Sequence, residues 1–262
     1  MKQEIKTRRN DFNQLGNIYP LAEKVSIENT SIEDITCYWF TPENVTTDTV
    51  ILYLHGGAFV LGSIESHKAM VSHFAAAFKA KILFVEYALA PEYPFPAAVN
   101  DLQKVYHHLE NVVLMGDSAG AGLIVSFMGT LTGKQPEGVI LLSPWINLAC
   151  DNASYELNSQ TDPILSKDYL YKSALMYAGS HMNKANPDNI TFKQFPPVLV
   201  LVGNGEVLLD DSRNFIEEIK EVQENATLSI YQGQNHVWPL SDINSEASKK
   251  SIAEMKAFIA EL

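Results

Sequence analysis

The pentapeptide Gly116-Asp117-Ser118-Ala119-Gly120 stands between an apolar run, Val112 to Met115, and a helix-like stretch from Ala119 to Leu131. Gly-x-Ser-x-Gly at a strand-to-helix junction makes a tight turn. That turn lifts the serine hydroxyl above the sheet, and the glycines leave room for strand and helix to pack closely. Alone the motif is weak, because a plain turn or a phosphate-binding loop also satisfies it. A dinucleotide fingerprint requires a glycine three positions after Gly122, where Val125 stands, and no Walker lysine is present. A serine hydroxyl is a poor nucleophile until an imidazole takes its proton, and the imidazole needs a carboxylate to hold its tautomer. Of the seven histidines, His55, His67, His73, His107 and His108 precede Ser118, and only His181 and His236 follow it.

Enzymes built on such an elbow order the chain as serine, then acid, then histidine. His181 falls in an irregular stretch, whereas His236, in Gln234-Asn235-His236-Val237-Trp238, lies in the loop between the last strand and the last helix, where the base belongs. The acid belongs in the loop Gly203-Asn204-Gly205-Glu206-Val207-Leu208-Leu209-Asp210-Asp211. Glu206 is the first choice, because an apolar triplet follows it and tucks its backbone in place. Asp210 is the alternative, although Asp210 and Asp211 also suit the first turn of the next helix. His55-Gly56-Gly57-Ala58 closes an earlier buried strand. Backbone N–H groups of glycines can approach a developing oxyanion with no side chain in the way, although a strand-ending turn has the same composition.

The elements that must hold these residues follow a regular rhythm. A weak helix is expected over Ile5 to Leu15 and a strand over 34–40. Short apolar runs at 50–54, 82–85, 112–115, 139–142 and 197–202 suit buried strands, with a last strand at 227–231. Helical patterns occupy 66–80, 96–109, 119–131, 210–224 and 245–262. Alternating strands and helices predict an α/β fold, a mostly parallel sheet covered on both faces. Residues 148–192 break the rhythm with no convincing strand, and are expected to form a helical insertion that covers something.

Composition narrows the partners. The 262 residues are 46% hydrophobic and 19% charged, with 19 Lys+Arg against 31 Asp+Glu and a net charge of −12. Such a chain has no electrostatic drive toward nucleic acid or anionic lipid. The single basic cluster, Lys6-Thr7-Arg8-Arg9, is too short to change that. Cys37 and Cys150 form neither a disulfide framework nor a zinc motif. The first residues lack the apolar core of a signal peptide, and no apolar run reaches the roughly 18 residues that span a bilayer, so a cytoplasmic location is the default expectation.

The sequence resembles the hormone-sensitive-lipase-like group of α/β-hydrolase esterases. The matching pieces, in family order, are His55-Gly56-Gly57-Ala58-Phe59; Tyr87-Ala88-Leu89-Ala90-Pro91-Glu92 with Pro94-Phe95-Pro96-Ala97-Ala98; Gly116-Asp117-Ser118-Ala119-Gly120; and His236-Val237-Trp238. The resemblance implies an α/β-hydrolase fold over 1–262, with a small helical cap from about 1–20 and 148–192. It implies Ser118 as nucleophile, His236 as general base, and the amides of Gly56, Gly57 and Ala119 as the oxyanion hole, with His55 bracing that loop. The family's acid is usually Asp where Glu206 stands, and Asp210 would match a second acidic position. The usual third glycine of the oxyanion loop is Ala58 here. The implied activity is hydrolysis of short-chain acyl esters of small molecules through an acyl-enzyme, with no metal or organic cofactor. An amidase or formamidase on the same triad and a non-catalytic ligand-binding receptor are the alternatives. A homodimer through the C-terminal helix and edge strand is a family-level expectation, and Phe59, Trp145 and Trp238 are candidate pocket walls against ordinary core packing.

Overall fold

The computed structural model describes residues 2–262. Eight strands form one sheet: β1 (Val25–Ile32), β2 (Ile35–Pro42), β3 (Val50–Leu54), β4 (Lys81–Val85), β5 (Val112–Asp117), β6 (Gly138–Leu142), β7 (Val198–Gly203) and β8 (Ala226–Tyr231), in the spatial order β1-β2-β4-β3-β5-β6-β7-β8. The pairs β1–β2 and β2–β4 are antiparallel and every other pair is parallel. This is the mostly parallel α/β sheet expected from the alternation of apolar runs and helical patterns, in the α/β-hydrolase arrangement that the resemblance implied.

The central strands are apolar along most of their length, with Lys81 and Asp117 at strand ends, because both faces are covered. Successive side chains point to opposite faces. Leu52, Leu54, Leu114, Leu141 and Val200 therefore enter one core, with helices α3 (Ala97–Tyr106), α4 (Ser118–Met128) and α8 (Leu209–Lys220). Ile51, Tyr53, Met115, Ile140 and Leu201 enter the other, against α2 (Ile64–Phe78) and α10 (Glu246–Glu261). Leu54 on β3 pairs in register with Gly116 on β5, and Asp117 pairs with Leu142 on β6. These strands therefore end at one level, and the loops after them meet at the carboxyl edge of the sheet, the usual place for a ligand site in such sheets.

The chain opens with α1 (Lys2–Asn13) and a 3₁₀ turn over Gln14–Asn17. The stretch from 148 to 192 is helical and strand-free, with α5 (Ser154–Leu157), α6 (Lys167–Ala178), α7 (Met182–Ala185) and a 3₁₀ turn. The short α9 (Trp238–Ser241) follows His236. One strand was not expected from the sequence. β1 alternates exposed and half-buried residues, none fully buried, so it carries no apolar run to read. Its turn into β2 uses Glu33 and Asp34, both at positive φ (50° and 63°), the geometry of a two-residue hairpin without its usual Asn-Gly signature. Among the described residues no helix is long and apolar enough to cross a membrane.

Candidate active site

Ser118 is the first residue of α4, directly after β5, and takes φ +52°, a strained backbone for a non-glycine residue. The glycines beside it are required by close approach. A Cβ on Gly120 would overlap the Leu54 and His55 carbonyls where the β3 loop passes against the elbow. The Ser118 hydroxyl lies 2.9 Å from His236 Nε2, and His236 Nδ1 lies 2.9 Å from Glu206 Oε2. A carboxylate only accepts, so Nδ1 carries the proton and Nε2 presents a lone pair to the serine. All three residues are buried.

Glu206 is held by its other oxygen. Oε1 accepts from the Gly203 amide at 2.6 Å and from the Ser143 hydroxyl at 2.7 Å. Ser143 Oγ in turn accepts from the Val237 amide at 3.1 Å. Ser143 directly follows β6 and was not singled out in the sequence; a serine just past a buried strand has no local signal that separates it from any loop residue. Burial pushes the His236 imidazole down, but the Glu206 bond and charge, with Asp162 and Asp117 behind them, outweigh it and leave the pKa raised.

The two acids of the same loop are placed elsewhere. Asp210 accepts from the Ser154 amide at 2.8 Å and pairs with Arg213 at 3.1 Å, and it does not reach His236. Asp211 is not the exposed first-turn acid its position suggests. It is fully buried and accepts from the amides of Ile146 and Asn147, the Asn152 side chain and the Tyr155 hydroxyl, pinning the strand-end loop that begins at Ser143. His181 is exposed at the start of α7, and His107 and His108 are exposed as well.

The loop after β3 is anchored through its carbonyls. His55 Nδ1 donates to the Gly56 carbonyl at 2.7 Å, the Tyr87 hydroxyl donates to the His55 carbonyl at 2.6 Å, and the His55 ring stacks on Tyr87 at 4.4 Å. Burial, with His67 nearby, pushes the His55 pKa down to about 3, so this imidazole is neutral and fills the turn. Gly57 sits at φ +121°, and a Cβ there would overlap the Leu61 carbonyl, so glycine is required on both counts. Ala58 and Phe59 follow at positive φ (55° and 62°). Beneath the elbow, Asp117 accepts from the Tyr53 hydroxyl at 2.6 Å and faces His67 Nε2 at 3.4 Å. Burial alone would raise its pKa, but His67 and Tyr53 reverse the sign and hold it below the usual carboxylate value.

Ser118, His236, Gly57 and Ala58 line a cavity of about 380 Å³. Its walls come from Phe12 and Leu15 near the N-terminus and from Ile164, Leu165, Tyr169 and Leu170 of the insertion. Phe59, Trp145 and Trp238 do not line it. Phe59 stacks on Tyr177 at 3.9 Å and packs against Trp145 at 5.5 Å, and Trp238 packs on Tyr231 at 4.7 Å, all as core. Among the described residues no cluster of three or more His, Cys, Asp or Glu side chains is placed to hold a metal ion.

A serine on a strained elbow, hydrogen-bonded to a histidine beside a carboxylate, on this sheet, defines a hydrolase of the α/β class. The alpha/beta hydrolase fold family model matches residues 51–240, and the chain belongs to that family. A crystal structure of an esterase from the bacterial hormone-sensitive lipase family is 31% identical with a TM-score of 0.93, covering 98% of this chain and 91% of that one. A crystal structure of EstE5 soaked with p-nitrophenyl butyrate is 31% identical with a TM-score of 0.90, covering 98% and 90%. An acetyl-hydrolase of Streptomyces hygroscopicus is 32% identical over 90% of this chain and 83% of its own length. The protein is accordingly a carboxylic ester hydrolase of the hormone-sensitive lipase kind.

Proposed function

We propose that this ester hydrolase cleaves short-chain acyl esters through a Ser118–His236–Glu206 triad and an acyl-enzyme. The observation that carries the reading is the unbroken hydrogen-bonded line from Ser118 Oγ through His236, both lining the cavity, to the buried Glu206. Ser118 attacks the ester carbonyl carbon while His236 Nε2 takes the hydroxyl proton. Glu206 stays ionised, holds the tautomer and stabilises the imidazolium that forms. The amides of Gly56, Gly57 and Ala119 receive the oxyanion; Ala119 stands in the first turn of α4, where N–H groups have no intrahelical acceptor. His236 then protonates the leaving alcohol. A water activated by the same imidazole releases the acid and restores the serine.

α1 and the 148–192 insertion act as the cap, since both supply side chains to the cavity walls. The cavity is near the lower end of the range for small-molecule sites, so activity falls steeply beyond roughly six to eight acyl carbons. Hydrolysis of p-nitrophenyl acetate and butyrate by the wild type and Ser118→Ala tests the mechanism. Turnover should drop on the order of 10⁶-fold in the variant. Equal rates in both proteins would remove Ser118 from the reaction, and a chain-length series peaking at long acyl groups would overturn the substrate reading.

A further inference from the structure

The basic run Lys6-Thr7-Arg8-Arg9 takes no part in the chemistry above, yet two of its residues tie down the cavity wall. Arg9 on α1 reaches two loops at once. Its Nε donates to the Val60 carbonyl at 2.8 Å. One terminal nitrogen donates to the Ala90 carbonyl at 3.0 Å and to Glu92 Oε2 at 2.7 Å, and the other to Glu92 Oε1 at 3.0 Å. The two loops also bond each other, the Ala90 amide donating to the Phe59 carbonyl at 2.9 Å. Val60 closes the turn that opens at Gly57, because the amides of Val60 and Leu61 both donate to the Gly57 carbonyl, at 3.1 and 2.8 Å. A single guanidinium therefore joins the helix that brings Phe12 to the cavity with the turn that brings Gly57 and Ala58 to it.

The rest of α1 is lightly held. From Gln3 to Asn13 only Ile5 is fully buried. Other ties include the Arg8 guanidinium over the Tyr169 ring at 5.0 Å, the Asn13 side-chain oxygen accepting from the Ser63 hydroxyl at 2.8 Å, and the half-buried Phe12 against the core. With so little apolar burial, the forked arginine, bonded to two backbone carbonyls as well as to Glu92, is a directional contact that ties the helix to two loops at once. Paired forks of this type combine charge with fixed geometry.

We propose that Arg9 is a positioning residue that couples the cavity wall to the Gly56–Gly57 loop, so that Phe12 and Leu15 limit the length of the ester only while this clamp is closed. The proposal rests on the ester-hydrolysis reading above. With the clamp lost, α1 shifts outward, longer acyl chains enter, and the turn behind Gly57 loosens.

The test compares Arg9→Met, which keeps a long helix-favouring stem and removes every donor, with Arg9→Lys, whose single ammonium cannot fork between the loops. Initial rates on p-nitrophenyl acetate, butyrate and decanoate give kcat and KM separately, and circular dichroism checks the fold. Arg9→Met should raise the decanoate-to-butyrate ratio of kcat/KM about tenfold while lowering kcat on acetate about threefold, with Arg9→Lys between it and the wild type. Phe12→Ala should raise the same ratio, and adding it to Arg9→Met should change little, because both act through one wall. A ratio within about twofold of wild type in folded Arg9→Met, or full additivity in the double variant, overturns the clamp. If Arg9→Met does not fold, an Arg9→Lys ratio equal to wild type overturns it. Ser118→Ala run alongside separates the two readings. If Ser118→Ala is as active as wild type, the mechanism fails; if it is inactive and the Arg9 ratio is unmoved, only the clamp fails.

Discussion

Replacing Glu206 with glutamine changes one atom and should nearly silence the enzyme. The two oxygens of Glu206 have different neighbours. Oε1 takes the Gly203 amide and the Ser143 hydroxyl, and Oε2 takes His236 Nδ1. A glutamine has one carbonyl oxygen to offer. Placing its NH₂ at the Oε1 position sets donor against donor at Gly203, whose amide cannot rotate, and Ser143 is already accepting from Val237. The carbonyl therefore stays at Oε1 and the NH₂ faces His236. The imidazole must then carry its proton on Nε2, where it cannot accept one from Ser118. Loss of the correct tautomer in a serine triad costs about 10⁴ in kcat, or about 5.5 kcal/mol of transition-state stabilisation. The assay is kcat/KM on p-nitrophenyl butyrate, with circular dichroism to check that the retained Gly203 and Ser143 bonds preserve the fold. The two raising influences of Glu206 on His236 also vanish, so the residual rate should climb with pH over a lower range than in the wild type. Activity within about tenfold of wild type in a folded variant would refute the reasoning.

The remaining predictions concern the neighbours of that line. Asp210→Asn keeps an acceptor for the Ser154 amide and lies off the His236 axis, so kcat/KM should stay within about threefold of wild type; a loss near that of Glu206→Gln would make Asp210 the acid. The proposed mechanism uses the neutral His236 imidazole as base, so kcat/KM should rise with pH through the raised His236 value, on the alkaline side of an ordinary histidine; a rise centred below the ordinary value would contradict the Glu206 contact. Gly57→Ala puts a Cβ against the Leu61 carbonyl at a backbone angle alanine disfavours, and kcat should fall at least about 100-fold in a folded protein. Burial pushes Asp211 up to about 7 against four donors that pull it down, so the folded chain binds this proton more tightly than the unfolded one. That contribution is full below about pH 4 and lost as pH climbs to about 7, so the thermal midpoint of Asp211→Asn relative to wild type should rise by a few degrees between about pH 5 and about pH 8; an offset equal at both would refute it.

The legible parts of the sequence were those where backbone geometry dictates residue type. Gly120 faces the carbonyls of the β3 loop and Gly57 needs a positive φ, so the motifs around them could be found from local spacing alone. The apolar strands were legible because burial on both faces leaves few polar positions, and those at strand ends such as Asp117. β1 was not, since its half-buried, polar alternation spreads the signal over Ser26, Glu28, Asn29 and Thr30. The cavity wall was also out of reach. Phe59, Trp145 and Trp238 are the kind of residues that line pockets, but each is consumed by core packing, and Phe12, Tyr169 and aliphatic residues from the N-terminal segment and the insertion line the cavity instead. Nothing in the spacing of Arg9, Val60 and Ala90 announces that they meet.

The order of the candidate residues along the chain follows from the sheet itself. Ser118 follows β5, Ser143 follows β6, Glu206 follows β7 and His236 follows β8, and these four strands are neighbours in that spatial order. His236, after β8, reaches Ser118, after β5, across the ends of β7 and β6, with Glu206 behind it. Ser143 sits at that crossing. Its hydroxyl donates to Glu206 and accepts from the amide that follows His236, so one side chain sets the spacing between the ends of β6, β7 and β8. Glu206 spans that gap with both oxygens, one taking the Gly203 amide and the Ser143 hydroxyl and the other His236 Nδ1. Ser143 thereby ties the acid and the loop that carries His236 to the same strand end.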